Sequence, residues 1–130
     1  MQISPTQEKN YTQIIQIGRK DHKYQKQSYI SNIRNLATFQ NWVRKKNPHN
    51  ICTLTSGPLT FENKCIRIFP ISGSIHITEI STHGEKEREI SHTLSSDTNC
   101  FLCYATYSRF KVKISAVTKS SEAAIFTKKV

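Results

Sequence analysis

From Ile51 to Val117 the chain is a series of short β-branched and aromatic runs cut by turn residues, and this punctuation constrains the fold more than any other feature. Ile51–Thr55 (ICTLT) stops at Ser56-Gly57-Pro58, and Cys65–Phe69 alternates around Arg67 before Pro70. In Ser74–Ile80, Ile75 and Ile77 alternate with His76 and Thr78, the pattern of a half-buried strand. His83–Glu89 (HGEKERE) reads as a charged hairpin loop. Asn99–Tyr107 and Arg109–Val117 give the strongest strand signals. In the second, Phe110, Val112 and Ile114 share one face while Lys111 and Lys113 share the other.

The flanks read differently. Residues 1–10 form a loose lead-in, Tyr11–Ile17 (YTQIIQI) a first strand, and Gly18–Gln27 a basic exposed loop. Residues 28–43 are ambiguous: Ile30, Ile33 and Leu36 fit helical spacing, whereas Phe39–Val43 suits an extended chain. Arg44–Asn50, with Pro48, reads as a turn. At the other end Ser120 or Ser121 suits a helix cap, Glu122 its first turn, and Lys128 and Lys129 its last, so residues 119–130 are expected to form a C-terminal helix. The expected architecture is one α+β, mostly β domain: a sandwich over 11–117 and then a helix.

A chain of 130 residues, 36% hydrophobic and 22% charged, suffices for one packed core without staples. No apolar run reaches membrane-spanning length, and Met1–Asn10 lacks the pattern of a secretory signal, which points to the cytosol or nucleus. In that setting Cys52, Cys65, Cys100 and Cys103 are expected as free, mostly buried thiols.

Charge is the compositional anomaly. The net charge is +10, and residues 1–50 hold nine Lys or Arg against Glu8 and Asp21. A basic half on a nearly neutral body suits a polyanion partner, although lysine and arginine also serve solubility.

His83-Gly84-Glu85 with Cys100-Phe101-Leu102-Cys103 imitates the H-x-E and C-x-x-C pattern of zinc deaminases. The cysteines, however, sit in a strand sequence, where residues three apart face opposite sides and cannot share one metal. His22, His49, His76 and His92 lack partners at ligand spacing, and no phosphate-binding or dinucleotide glycine pattern occurs. No cofactor, metal or catalytic residue is therefore expected. The candidate nucleic-acid-binding residues are Arg19, Lys20, Lys23 and Lys26 beside Tyr24, then Arg44, Lys45 and Lys46, and finally Lys111 and Lys113. Trp42, the only tryptophan, reads as a core anchor.

FPISGSIHITEI (Phe69–Ile80) and TNCFLCYATYSRFKVKISAVTKSSEAA (Thr98–Ala124), with Tyr11 and the succession Trp42, His49, Leu54, Ser56-Gly57, resemble the N-terminal domain of the Rec-one-one-four (Rec-seven) family of meiotic recombination proteins. The resemblance implies a pleckstrin-homology-like antiparallel sandwich closed by one C-terminal helix. It also implies a non-enzymatic scaffold of the meiotic DNA double-strand break machinery, on chromosomes in the nucleus. Its implied partners are a Mei-type protein and the topoisomerase-like nuclease complex, with a contribution to DNA binding and no membrane. An exposed strand edge or the groove beside the helix is the expected docking place. Three rivals stand beside this reading. One is a stand-alone DNA- or RNA-binding β domain, for which Phe101, Tyr104 and Tyr107 are the stacking candidates. Another is a phosphoinositide-binding domain, which needs the Gly18–Gln27 cations to converge. The last is a cupin-like sandwich, whose histidine metal set this sequence lacks.

Overall fold

The computed structural model describes residues 3–17, 28–103, 109–117 and 119–129. The first element is a helix, α1 (Pro5–Ile15), where the sequence suggested a lead-in and a strand. Ser4 Oγ accepts the Gln7 amide at 3.1 Å, Pro5 opens the first turn, and Glu8 lies at its positive end. Residues 11–15 of the β-branched run YTQIIQI are helical because Tyr11, Ile14 and Ile15 then share the face that packs on the domain.

The ambiguous stretch splits into strand β1 (Ser28–Ser31) and helix α2 (Leu36–Lys46). Leu36, Phe39 and Val43 recur at helical spacing with Trp42 beside them, and this face is buried. The basic residues expected in a turn form the last turn of α2 instead, where the helix dipole favours cations. A short 3₁₀ turn (Pro48–Asn50) then leads into the strands.

Those strands are β2 (Ile51–Leu54), β3 (Leu59–Glu62), β4 (Lys64–Ser72), β5 (Ser74–His83), β6 (Lys86–Ser95), β7 (Cys100–Cys103), β8 (Arg109–Ala116) and β9 (Ser121–Lys129). Their signals in β2, β4, β5, β7 and β8 agree with the sequence reading. The charged hairpin loop shrinks to Gly84-Glu85, and Lys86–Glu89 belongs to β6. β4 continues through Pro70, which a central strand tolerates here because the ladder to β9 is bulged between Pro70 and Ser72.

The expected C-terminal helix is a strand. β9 lies between β2 and β4 in the middle of a sheet and is hydrogen-bonded along both edges. Ser121, Ala123 and Ile125 are buried toward one face, Ala124 toward the other, and this burial outweighs the helix propensity of Glu, Ala and Lys. Among the described residues, 119–129 therefore form no closing helix.

All pairings are antiparallel. Sheet A has the order β1-β7-β4-β9-β2 and sheet B the order β3-β8-β5-β6. Strands β2 to β9 thus take the order of a jelly roll, crossing between sheets at every step but β5 to β6, with β1 added at one edge. The expected helix-closed sandwich is therefore not what the described strands form.

Three layers result. Ile66, Ile68, Phe101 and Ile125 of sheet A meet Ile75, Ile77, Val112 and Ile114 of sheet B in the main core. On the outer face of sheet A, Phe69, Ile71, Leu102 and Ala124 receive Tyr11 of α1 and Phe39, Trp42 and Val43 of α2. Tyr11 and Phe39 meet edge-on at 5.3 Å, and Phe39 lies 5.1 Å from Phe69. Trp42 is the anchor its uniqueness suggested, at 5% exposure. Gln40 of α2 donates to the carbonyls of Pro70 and Ser96, pinning the helix to the bulge. No described helix is long and apolar enough to cross a membrane.

Candidate functional site

The basic residues singled out in the sequence do not converge. Arg19, Lys20, Lys23 and Lys26, with Tyr24, lie outside the described residues, as do Tyr104 and Tyr107. Arg44, Lys45 and Lys46 are exposed on the last turn of α2, over sheet A. Lys111 and Lys113 alternate with the buried Phe110, Val112 and Ile114, so they project from the outer face of sheet B. The full thickness of the sandwich separates the two groups. Lys111 also pairs with Glu62 at 3.4 Å. Phe101 is buried in the main core and offers no face for stacking.

What the structure brings together is the sign of charge by layer. By residue, β3, β5, β6, β8 and the β5–β6 turn hold five cations and five acids. Sheet A, its helices and the β1–α2 link hold nine cations, among them Lys9, Arg34, Lys64, Arg67, Lys128 and Lys129, against only Glu8 and Glu122. By element, the described excess of positive charge therefore lies in the sheet A and helix layers, where Arg67 and Lys128 take the helix-bearing face and Lys64 and Lys129 alternate to the face of Ile66 and Ile125.

Two clusters and an intervening arginine define that side. At one end Arg44 Nη2 donates to Glu122 Oε1 at 3.0 Å and Lys46 Nζ lies 3.5 Å from Glu8, while Lys45 is exposed. Hydrogen bonds from Arg44 and Ser72 hold the Glu122 carboxyl below its ordinary range. Both ion pairs are exposed, so they are weak and their cations remain open to an incoming phosphate. At the other end Lys64 stands directly opposite Lys129 and Cys65 opposite Lys128. A like-charged pair across a ladder is destabilising. The two ends are about 23 Å apart along β9, taking a strand rise of about 3.3 Å per residue. Arg67, opposite Phe126, lies between them and donates through Nη1 to Ile14 O at 2.6 Å, capping the C-terminal end of α1.

These residues were missed because their signal is tertiary. Lys64 and Arg67 are isolated in a strand pattern, and Lys128 and Lys129 were assigned to a helix end. Only the β4–β9 register places them side by side.

The interior holds a second polar group. Glu79, at 3% exposure, places Oε2 3.1 Å from His92 Nε2, and Cys103 hydrogen-bonds the same carboxylate. Burial first, and then Glu79, holds the Cys103 thiol well above the usual thiol range, so it is not a nucleophile near neutral pH. Cys100 packs under the helices and Cys103 between the sheets, on opposite faces, as strand geometry required of the deaminase-like spacing. Among the described residues no three His, Cys, Asp or Glu side chains are grouped to hold a metal ion.

No protein-family model matches this chain, and no curated protein matches it.

Proposed function

We propose that the protein is a non-enzymatic nucleic-acid-binding domain, a jelly-roll sandwich that presents its helix-bearing side to the phosphate backbone. The observation that carries this reading is the segregation of charge: a neutral sheet B against a sheet A side with nine cations and two acids. Dispersed cations serving only solubility have no reason to collect in one layer, and a field of one sign concentrates polyanions. The meiotic break-forming scaffold implied by the sequence resemblance is the rival, protein-docking reading. Its closing helix is replaced here by β9, so surface charge rather than resemblance supports the proposal.

The test is a salt titration of oligonucleotide binding by fluorescence anisotropy. The triple reversal Lys45→Glu, Lys46→Glu, Lys128→Glu is expected to weaken binding and to lower the slope against log salt by about one for each phosphate no longer neutralised. Reversing Lys111 and Lys113 is expected to leave both unchanged. Equal losses from the two sets, or an affinity independent of salt, would refute the assignment of the face.

A further inference from the structure

A cavity of about 430 Å³ opens between α1 and the β1–α2 link, above the outer face of sheet A. We infer that it receives one nucleotide of a single strand, with the base unstacked from its neighbours; this inference rests on the nucleic-acid reading above.

Its position suits a strand bound along the basic side. Arg67 lines the cavity, and its place opposite Phe126 puts it between the Glu122 end of β9, where Arg44 is bound, and the Lys128 and Lys129 end. A strand tracking the two basic clusters passes this opening.

Its lining suits a base. Among the described residues no acid lines the cavity, whereas Arg34 and Arg67 both do. Ile14, Ile33 and Leu102 supply an apolar floor for the face of a ring. Gln7, Asn10, Asn32 and Asn35 surround that floor with carboxamides, each carrying both donors and acceptors. Flat apolar surface ringed by amides matches an unstacked base, whose edge is read by such groups and whose face stacks on aromatic or guanidinium planes. A bare phosphate has no use for the apolar floor, and an aliphatic ligand has no use for four amides.

Size and shape agree. The volume lies within the range of small-ligand sites and suits one base with its sugar. The cavity is half-open, which leaves room for the backbone to enter and leave. Paired bases cannot enter it, so the site discriminates single strands from duplex.

The experiment compares a labelled single-stranded oligonucleotide with the duplex of the same sequence and length, at one salt concentration. The variants are Asn10→Leu and Asn32→Leu, both exposed, uncharged positions whose folding is checked by circular dichroism. The wild type is expected to prefer the single strand by about tenfold, the equivalent of one stacked base, and the double variant to lose that preference while its duplex affinity stays within about twofold. Equal affinity for both forms, or equal weakening of both by the variants, overturns the cavity assignment and leaves the charged face standing. No binding of either form overturns both readings. Adenosine and uridine monophosphates are titrated in parallel. Binding of these without oligonucleotide binding assigns the cavity to free nucleotides and refutes the strand.

Discussion

At the scale of residues, the four thiols differ by environment. Cys65, Cys100 and Cys103 are buried and Cys52 is half-buried, its Sγ donating to Asn50 O at 3.8 Å. Burial pushes the Cys100 thiol from 9.0 to about 11, against the opposing hydrogen bond it donates to Ser31 O. Alkylation of the native protein at pH 8 is expected to label Cys52 first, with the other three reacting only on unfolding, as read by peptide mass spectrometry. The same shift has a consequence for stability. Between pH 9 and 11 the unfolded chain has released a proton that folded Cys100 keeps, so its contribution is complete below pH 9 and declines as pH rises through 11. That contribution is about 3 kcal/mol, taken from a shift of about two pH units. A denaturant midpoint that stays constant from pH 8 to 11 would contradict it. Free, mostly buried cysteines were legible from sequence because reduced thiols behave as small hydrophobes. That Cys100 and Cys103 face different cores was legible as well, since they are three apart on a strand.

At the scale of elements, the β4–β5 turn and the start of β9 depend on each other. Gly73 has φ +74°, and a Cβ there would collide with the Ser121 side chain. Ser121 Oγ donates to Ser74 O at 2.9 Å just beyond that turn. Gly73→Ala is thus expected to destabilise through both strain and displacement of Ser121, by about 1–3 kcal/mol in chemical denaturation. Gly84 also has a positive φ but no atom near its would-be Cβ, so Gly84→Ala is expected to cost less, by backbone strain alone. Strand identity was readable where alternation was strong, in β5 and β8. It was not readable in α1, where β-branched residues form a helix, or in β9, where helix formers make a central strand. In both, burial against a partner layer decided the conformation and local preference was the smaller term.

At the scale of the whole molecule, the helices are not an appendage. α1 and α2 share a buried aromatic layer with sheet A, in which Trp42 lies 5.4 Å from Tyr11 and 6.1 Å from Phe39. Trp42 fluorescence reports the helical layer, whereas far-ultraviolet circular dichroism reports the backbone of every layer. The two are expected to trace one coincident urea transition, as a single cooperative unit requires. An earlier fluorescence transition would mean that the helical layer melts separately.

By itself the sequence determined a mostly β fold, thiols rather than staples, and a strong positive charge. These follow from composition and short-range alternation, which are local in the chain. The tertiary structure alone decided the jelly-roll order, the fate of β9 and the layer in which the charge collects. Each depends on register between strands far apart in sequence: Lys64 meets Lys129 across the β4–β9 ladder, and Arg44 meets Glu122. A periodic pattern specifies which face of a strand is buried, but not which strand will lie beside it.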